Sequence, residues 1–252
     1  MRVLVLGGSG NVGKLVLQQL LSRDIEVRAI VRAPESLPST LTANPKLTVI
    51  KANLLELSVD NLASHLTDCA AVTCTLGHGL SYKRIPALGV WLNPHDLVVR
   101  ATKMVCDAII KVQPTTPIRF VLLNTVGVFS PDGSDKHVRG GLEKGLVLFM
   151  KAVLPPYTDS VRSAEYISTK VGASEKSIEW TVVRPDSFID GEVSEYKTLD
   201  SIQHPFYEPD YVTKANIAHF VCELVQNSET FDKFKFKMPI IIDAHQPSKA
   251  SK

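Results

Sequence analysis

Fourteen residues at the amino end, Met1-Arg-Val-Leu-Val-Leu-Gly-Gly-Ser-Gly-Asn-Val-Gly-Lys14, constrain the fold of this chain more than any other stretch. Val3 to Leu6 is an unbroken apolar run, the pattern of a strand buried on both faces of a parallel sheet. Gly7, Gly10 and Gly13 follow at three-residue spacing, and Leu15, Val16, Gln19, Leu20 and Leu21 continue at helical spacing. Strand, glycine turn and amphipathic helix in that order predict an anion cradle. Gly7 permits the tight turn, Gly10 lets a diphosphate approach the backbone, and Gly13 lets the helix pack close to the sheet. The first N–H groups of the helix have no partner within it, and its dipole is positive at that end. Gly7, Ser9, Gly10, Asn11, Val12 and Gly13 are therefore the expected diphosphate contacts of a dinucleotide site.

The next strand, Glu26-Val-Arg-Ala-Ile-Val31, ends at Arg32. An acidic residue here would accept from the adenosine ribose 2′-hydroxyl and favour NAD, whereas an arginine pairs with a 2′-phosphate and favours NADP. Arg32, with Arg28 upstream, predicts NADP(H); the plainer reading is a solvated arginine at a strand end. Residues 47–54 read as a third strand, after which Asn53 and Leu54 flank the adenine, or Asn53 only closes an Asx-turn. The fourth strand, 70–75, leads to Leu76-Gly77-His78 at the carboxyl edge, where open α/β sheets bind ligands. Leu76 and Gly77 are expected along the cofactor; His78 either faces the nicotinamide or is an exposed loop side chain. The fifth strand, 118–123, ends in Asn124-Thr125-Val126-Gly127, small polar residues expected near the nicotinamide ribose or a substrate oxygen, or serving only the turn. An edge strand, Trp180-Thr-Val-Val183, leads to Arg184-Pro185-Asp186, with Pro185 shaping the turn over the nicotinamide and Arg184 paired to Asp186.

Helical periodicity marks 59–66, 96–112, 146–153 and 214–225, and a helix capped by Thr158-Asp159 runs to about residue 175; 239–243 is a last strand. No repeat or linker interrupts the 252 residues, so the economical reading is one domain over 1–245, a small substrate lobe at about 186–238, and a flexible tail at 246–252. Residues 79–95, with Tyr82 and Trp91, have no clean period and read as a lid or as an excursion covering the sheet. Residues 130–144 read as a glycine-rich, charged, mobile loop. A net charge of +2 with scattered lysines and arginines predicts neither nucleic-acid nor membrane partners. Cys69, Cys74, Cys106 and Cys222 lack metal spacing and, with no signal peptide, read as reduced cysteines of a cytoplasmic protein. His204, His219 and His245 likewise predict no metal site.

The order of parts resembles the short-chain dehydrogenase/reductase superfamily, and more closely its atypical, NmrA-like NAD(P)-binding branch, over nearly the whole chain. The resemblance is carried by Gly7-Gly-Ser-Gly-Asn-Val-Gly13, Val27-Arg-Ala-Ile-Val-Arg32 and Ile178-Glu-Trp-Thr-Val-Val-Arg-Pro185. It implies an α/β, Rossmann-like, doubly wound parallel sheet with a small C-terminal substrate lobe, binding NADPH. The implied activity is hydride transfer to a small carbonyl, quinone or enone. Other members of the branch are redox sensors without catalysis, or sugar-nucleotide epimerases and dehydratases. Tyr166-Ile-Ser-Thr-Lys170 is similar to the superfamily's Tyr-x-x-x-Lys pair, in which a lysine beside the phenol lowers its pKa for acid–base work. Thr125 would supply the substrate-anchoring hydroxyl. The alternative is that Tyr166 and Lys170 only pack or face solvent on a helix flank. A homodimer is the one macromolecular partnership the resemblance suggests.

Overall fold

Period-two alternation in β1 (Arg2–Leu6) sets the layers. Val3 and Val5 belong to the core on one face of the sheet, Leu4 and Leu6 to the core on the other, and all four are buried. The computed structural model describes residues 1–78, 94–130, 133, 135, 155–204 and 208–246. After β1 come α1 (Asn11–Ser22), β2 (Glu26–Val31), a short α2 (Ser39–Thr42), β3 (Leu47–Lys51), α3 (Val59–Leu66) and β4 (Cys69–Cys74). Then follow α4 (Leu97–Val112), β5 (Ile118–Leu123), α5 (Pro155–Glu165), β6 (Ile178–Pro185), β7 (Ser187–Ile189) and β8 (Tyr196–Leu199). The chain closes with β9 (Tyr211–Thr213), α6 (Lys214–Gln226), α7 (Ser228–Phe234) and β10 (Ile240–Asp243).

Eight strands form one sheet in the order β3-β2-β1-β4-β5-β6-β10-β8, parallel throughout except where β8 meets β10. From β1 the chain builds outward to β3, then returns to build outward from β4 on the other side. The switch point between β1 and β4 is where such sheets open a crevice for ligands. Helices α1 and α6 cover one face, with Leu17, Leu20, Phe220 and Phe231 in its core. Helices α3, α4 and α5 cover the other, over Leu62, Ile109, Phe120 and Trp180. Each such buried side chain stabilises the fold by about 1.5–3 kcal/mol. The Rossmann-like α/β expectation is met.

Three expectations change. Strand β6 is interior, not an edge, because β10 from far downstream pairs beside it, Ile240 opposite Arg184. No local pattern announces such a long-range pairing. The helix expected to be capped by Thr158-Asp159 starts at Pro155, where the fixed φ and missing N–H of proline suit a first turn. It widens into a π-helical turn over Tyr166–Val171. Of the stretch 186–238 expected as a lobe, β7 and β9 form a separate parallel pair, whereas β8, α6 and α7 join the main layers. The helix expected over 146–153, residues 79–93, most of 130–144 and the tail 247–252 lie outside the described residues.

Candidate dinucleotide site

Strand β1 carries Gly7 to the carboxyl edge of the sheet with a φ of +82°, a region where a side chain would be strained. The Gly10 N–H donates to the Gly7 carbonyl at 2.9 Å and closes the turn. A Cβ on Gly13 would stand 2.1 Å from that same carbonyl, so helix and turn approach as closely as they do only because position 13 has no side chain. Gly10 is the N-cap of α1; no side chain caps the helix and no acidic residue lies in its first turn. The amide donors and the positive dipole end therefore face outward for an anion.

Beside this turn lies a cleft of about 630 Å³. Gly7, Ser9, Gly10, Arg32, Asn53, Leu54, Leu76 and Gly77 all line it, so eight residues expected from the sequence meet on one wall system. Asn11, Val12 and Gly13 form the first turn of α1 behind it, with Val12 and Gly13 buried. Asn53 does two things at once. Its Oδ1 accepts from the Leu55 N–H at 3.3 Å in an Asx-turn, its Nδ2 donates to Glu56 at 2.7 Å, and the residue still faces the cleft. Arg32 is exposed at the rim and forms no ion pair among the described residues. Arg28 is not its companion: it donates to the carbonyls of His65 and Thr67 at 2.9 and 2.8 Å, tying down the end of α3. Sequence reasoning missed Glu56, Leu97 and Arg100, which complete the walls. Every helix after a parallel strand starts at this edge, which was legible, but which of its faces looks into the cleft was not.

Past β5 and β6 the predicted residues are fixed into the scaffold. The buried Asn124 amide donates to the Ser160 carbonyl at 3.0 Å and to the Ser163 hydroxyl at 3.2 Å, and its Oδ1 accepts from the Thr125 N–H at 2.9 Å. The Thr125 hydroxyl accepts from the Gly127 N–H at 3.3 Å, and the Pro185 carbonyl accepts from the Val126 N–H at 3.0 Å. The Tyr157 hydroxyl donates to the Gly127 carbonyl at 2.6 Å. These bonds lock the ends of β5 and β6 to the start of α5. Asn124, Thr125 and Pro185 are not among the residues lining the cleft.

His78 is not the exposed loop histidine of the plainer reading: its side chain is 6% accessible and its Nε2 lies 2.8 Å from the Asp159 carboxylate. That carboxylate also accepts from the N–H groups of Val98 and Val99 at 2.7 and 2.9 Å. Asp159 therefore caps α4, whose own N-cap residue Asp96 makes no capping bond.

The Tyr166–Lys170 couple does not form at the cleft. Tyr166 lies eleven residues after the start of α5, which at about 1.5 Å per residue is about 16 Å down the helix from the carboxyl edge. Its ring packs against α4, with the Lys103 ammonium 5.4 Å from the ring centre. Burial pushes its phenol pKa up, with nearby acidic groups adding to the rise and no lysine opposing it, the reverse of an activated phenol. Lys170 is exposed. Arg184 does not turn to Asp186 either. It is fully buried and pairs with Asp135 at 2.5 Å, while Nε and Nη1 also donate to the carbonyls of Met238 and Val128.

A second depression of about 550 Å³, walled in part by Met1, Asp68, Pro117 and Ser228, lies where β4 and β5 begin, the edge opposite to ligand binding in such sheets. No group of three or more His, Cys, Asp or Glu among the described residues could hold a metal ion, and none of the described helices is long and apolar enough to cross a membrane.

The comparisons agree with this geometry. An uncharacterized chloroplastic protein of Arabidopsis thaliana is 36% identical over 77 residues, which is 30% of this chain and spans 27% of that protein's length. Among solved structures, the oxidoreductase ylbE from Lactococcus lactis superposes with a TM-score of 0.67 at 17% identity, over 96% of this chain and 91% of that one. A wide-type short-chain dehydrogenase/reductase from Veillonella parvula, solved in complex with NADP, gives 0.64 at 11% identity over 98% of each chain. At these identities the two structures speak for the fold alone. The model of one family, described as NAD(P)H-binding, matches residues 7–228, from the first glycine of the turn to the start of α7, and the chain belongs to that NAD(P)H-binding family.

Proposed function

We propose that this protein is an NADPH-dependent oxidoreductase that reduces a small carbonyl, quinone or enone compound. The observation that carries the reading is the cleft itself, with uncapped amides at one end and, on its rim, the Arg32 guanidinium, which has no ion pair among the described residues. Ser9 and Gly10 would hold the diphosphate, Leu54 and Leu76 the adenine side, and Arg32 the 2′-phosphate. NADPH, when bound, supplies a hydride; the protein positions it and the acceptor. The test is NADPH oxidation by the purified chain on a panel of quinones, enones and aldehydes, with NADH run beside it. Turnover that prefers NADPH supports the reading, and none on a broad panel counts against it.

A second reading, an NADP(H)-binding sensor without turnover, is favoured by one observation: Tyr166 and Lys170 lie away from the cleft. It predicts similar affinity for both redox forms and a protein partner. Four buried, free cysteines support a reducing compartment, the cytoplasm on our reading. Sedimentation would show whether the chain is the homodimer that the family resemblance suggests.

A further inference from the structure

Asp159 is a fully enclosed carboxylate shared by three parts of the chain: the N–H groups of Val98 and Val99 open α4, α5 carries the acid, and His78, itself not among the residues lining the cleft, reaches it from just beyond the cleft-lining Leu76 and Gly77. Facing two backbone donors, the carboxylate offers lone pairs, so the hydrogen of the third bond belongs to the imidazole. Nε2–H is thereby spent on Asp159, and Nδ1 is the nitrogen left for proton exchange. A buried carboxylate that fixes the tautomer and orientation of a histidine is the arrangement that proton-transferring imidazoles need. A helix cap alone would not need the ring.

We propose that His78 supplies and recovers the proton of reduction at the nicotinamide end of the cleft, with Asp159 as its positioning residue. The proposal rests on the reductase reading above. Reduction of a carbonyl acceptor needs an electron pair, carried as hydride from NADPH, and one proton for the oxyanion that results. The Nδ1–H bond of the imidazolium breaks, an O–H bond forms on the product, and NADP⁺ and a neutral ring remain. Nε2–H stays on Asp159 throughout, and water returns a proton to Nδ1. Among the described residues, Cys74 on β4 feels the Asp159 carboxylate; burial pushes its thiol up to about 12, so it stays protonated and does not compete. Among the described residues no lysine or arginine forms an ion pair with Asp159.

Nitrogen NMR of the ¹⁵N-histidine-labelled chain tests the geometry without turnover. The neutral His78 ring should report the Nε2–H tautomer, and its Nδ1 resonance should move on addition of NADPH. His65, at the far edge of the sheet, should not respond. In the second arm, His78→Gln keeps an N–H donor for Asp159 but cannot carry the proton. With NADPH still bound, its kcat on the best acceptor should fall about 10²-fold, and the pH dependence of kcat should flatten. A ring indifferent to NADPH, or a His78→Gln enzyme with the kcat and pH profile of the original, overturns the proposal and leaves the reductase reading standing. A chain that binds NADPH but reduces nothing overturns both. Should the variant not fold, the tautomer and the NADPH response of the unaltered chain decide.

Discussion

Asp135, in the long connection after β5, and Arg184, near the end of β6, form an ion pair in which both side chains are almost wholly removed from solvent, 2.5 Å apart. Asp135 also accepts from the N–H groups of Ser130 and Ile202, at 2.7 and 3.0 Å, so one carboxylate gathers the chain after β5 and the chain after β8 around one guanidinium. Removing one partner strands the other charge in the core. Asp135→Ala or Arg184→Met should each cost about 3–5 kcal/mol in denaturant unfolding, and the double variant less than the sum. Additive losses would show that the two charges do not act as a unit.

Arg32→Glu should weaken NADPH binding by about one to two decades, the worth of a charge-assisted hydrogen bond of about 1.5–3 kcal/mol. NADH binding should hold or improve, because the new carboxylate can accept from the ribose hydroxyl. Calorimetry with both dinucleotides reads the split. Equal losses would remove the 2′-phosphate from the account of this residue.

Gly13→Ala places a methyl 2.1 Å from the Gly7 carbonyl, so the turn or the helix must move. Overpacking of this kind costs about 1–3 kcal/mol. The larger effect should be on binding, since the amides of α1 would no longer converge on the diphosphate. Thermal melts with and without NADPH should show a lower baseline Tm and no ligand shift.

The Tyr196 hydroxyl lies 3.0 Å from His219 Nδ1; in the neutral tautomer with the hydrogen on Nε2 it donates to that nitrogen, a bond that a protonated ring cannot receive. Burial, helped by Arg23, holds its pKa below the ordinary 6.5, while Glu223 pulls the other way. Because the folded pKa is the lower one, the unfolded chain takes up the proton first. Stability from this group is present above pH 6.5 and lost as pH falls toward the folded pKa. The Tm of His219→Gln should fall less steeply over that window; parallel curves would clear His219 of the effect.

All four cysteines are buried and free, and burial raises the thiol pKa of Cys69, Cys74, Cys106 and Cys222. At pH 8 the native chain should titrate slowly with a thiol reagent and release its full complement on unfolding. A fast-reacting native thiol would point to an opening of the fold near that residue.

The glycine turn, the strand before it and the helix after it were legible because each is decided by neighbours within a few residues. φ at Gly7 and the closeness of Gly13 to the turn are local matters. The cleft residues Arg32, Asn53, Leu54, Leu76 and Gly77 followed from them, since parallel strands present their ends to one edge. Tyr166 misled because a spacing of four residues says nothing about where along the helix the pair falls. That depended on α5 beginning at Pro155.

From its order of residues alone this chain determined the alternation that gives the sheet its two faces and the glycine turn at its carboxyl edge. Only the tertiary structure decided that β10 would slot beside β6, that Asp159 would cap a helix sixty residues upstream and hold His78, and that Arg184 would choose Asp135. Helical and strand periods are set by bonds between near neighbours and leave a trace in the sequence. A buried charge finds its partner only when the packing has brought distant segments together, and a single sequence carries no local mark of that meeting.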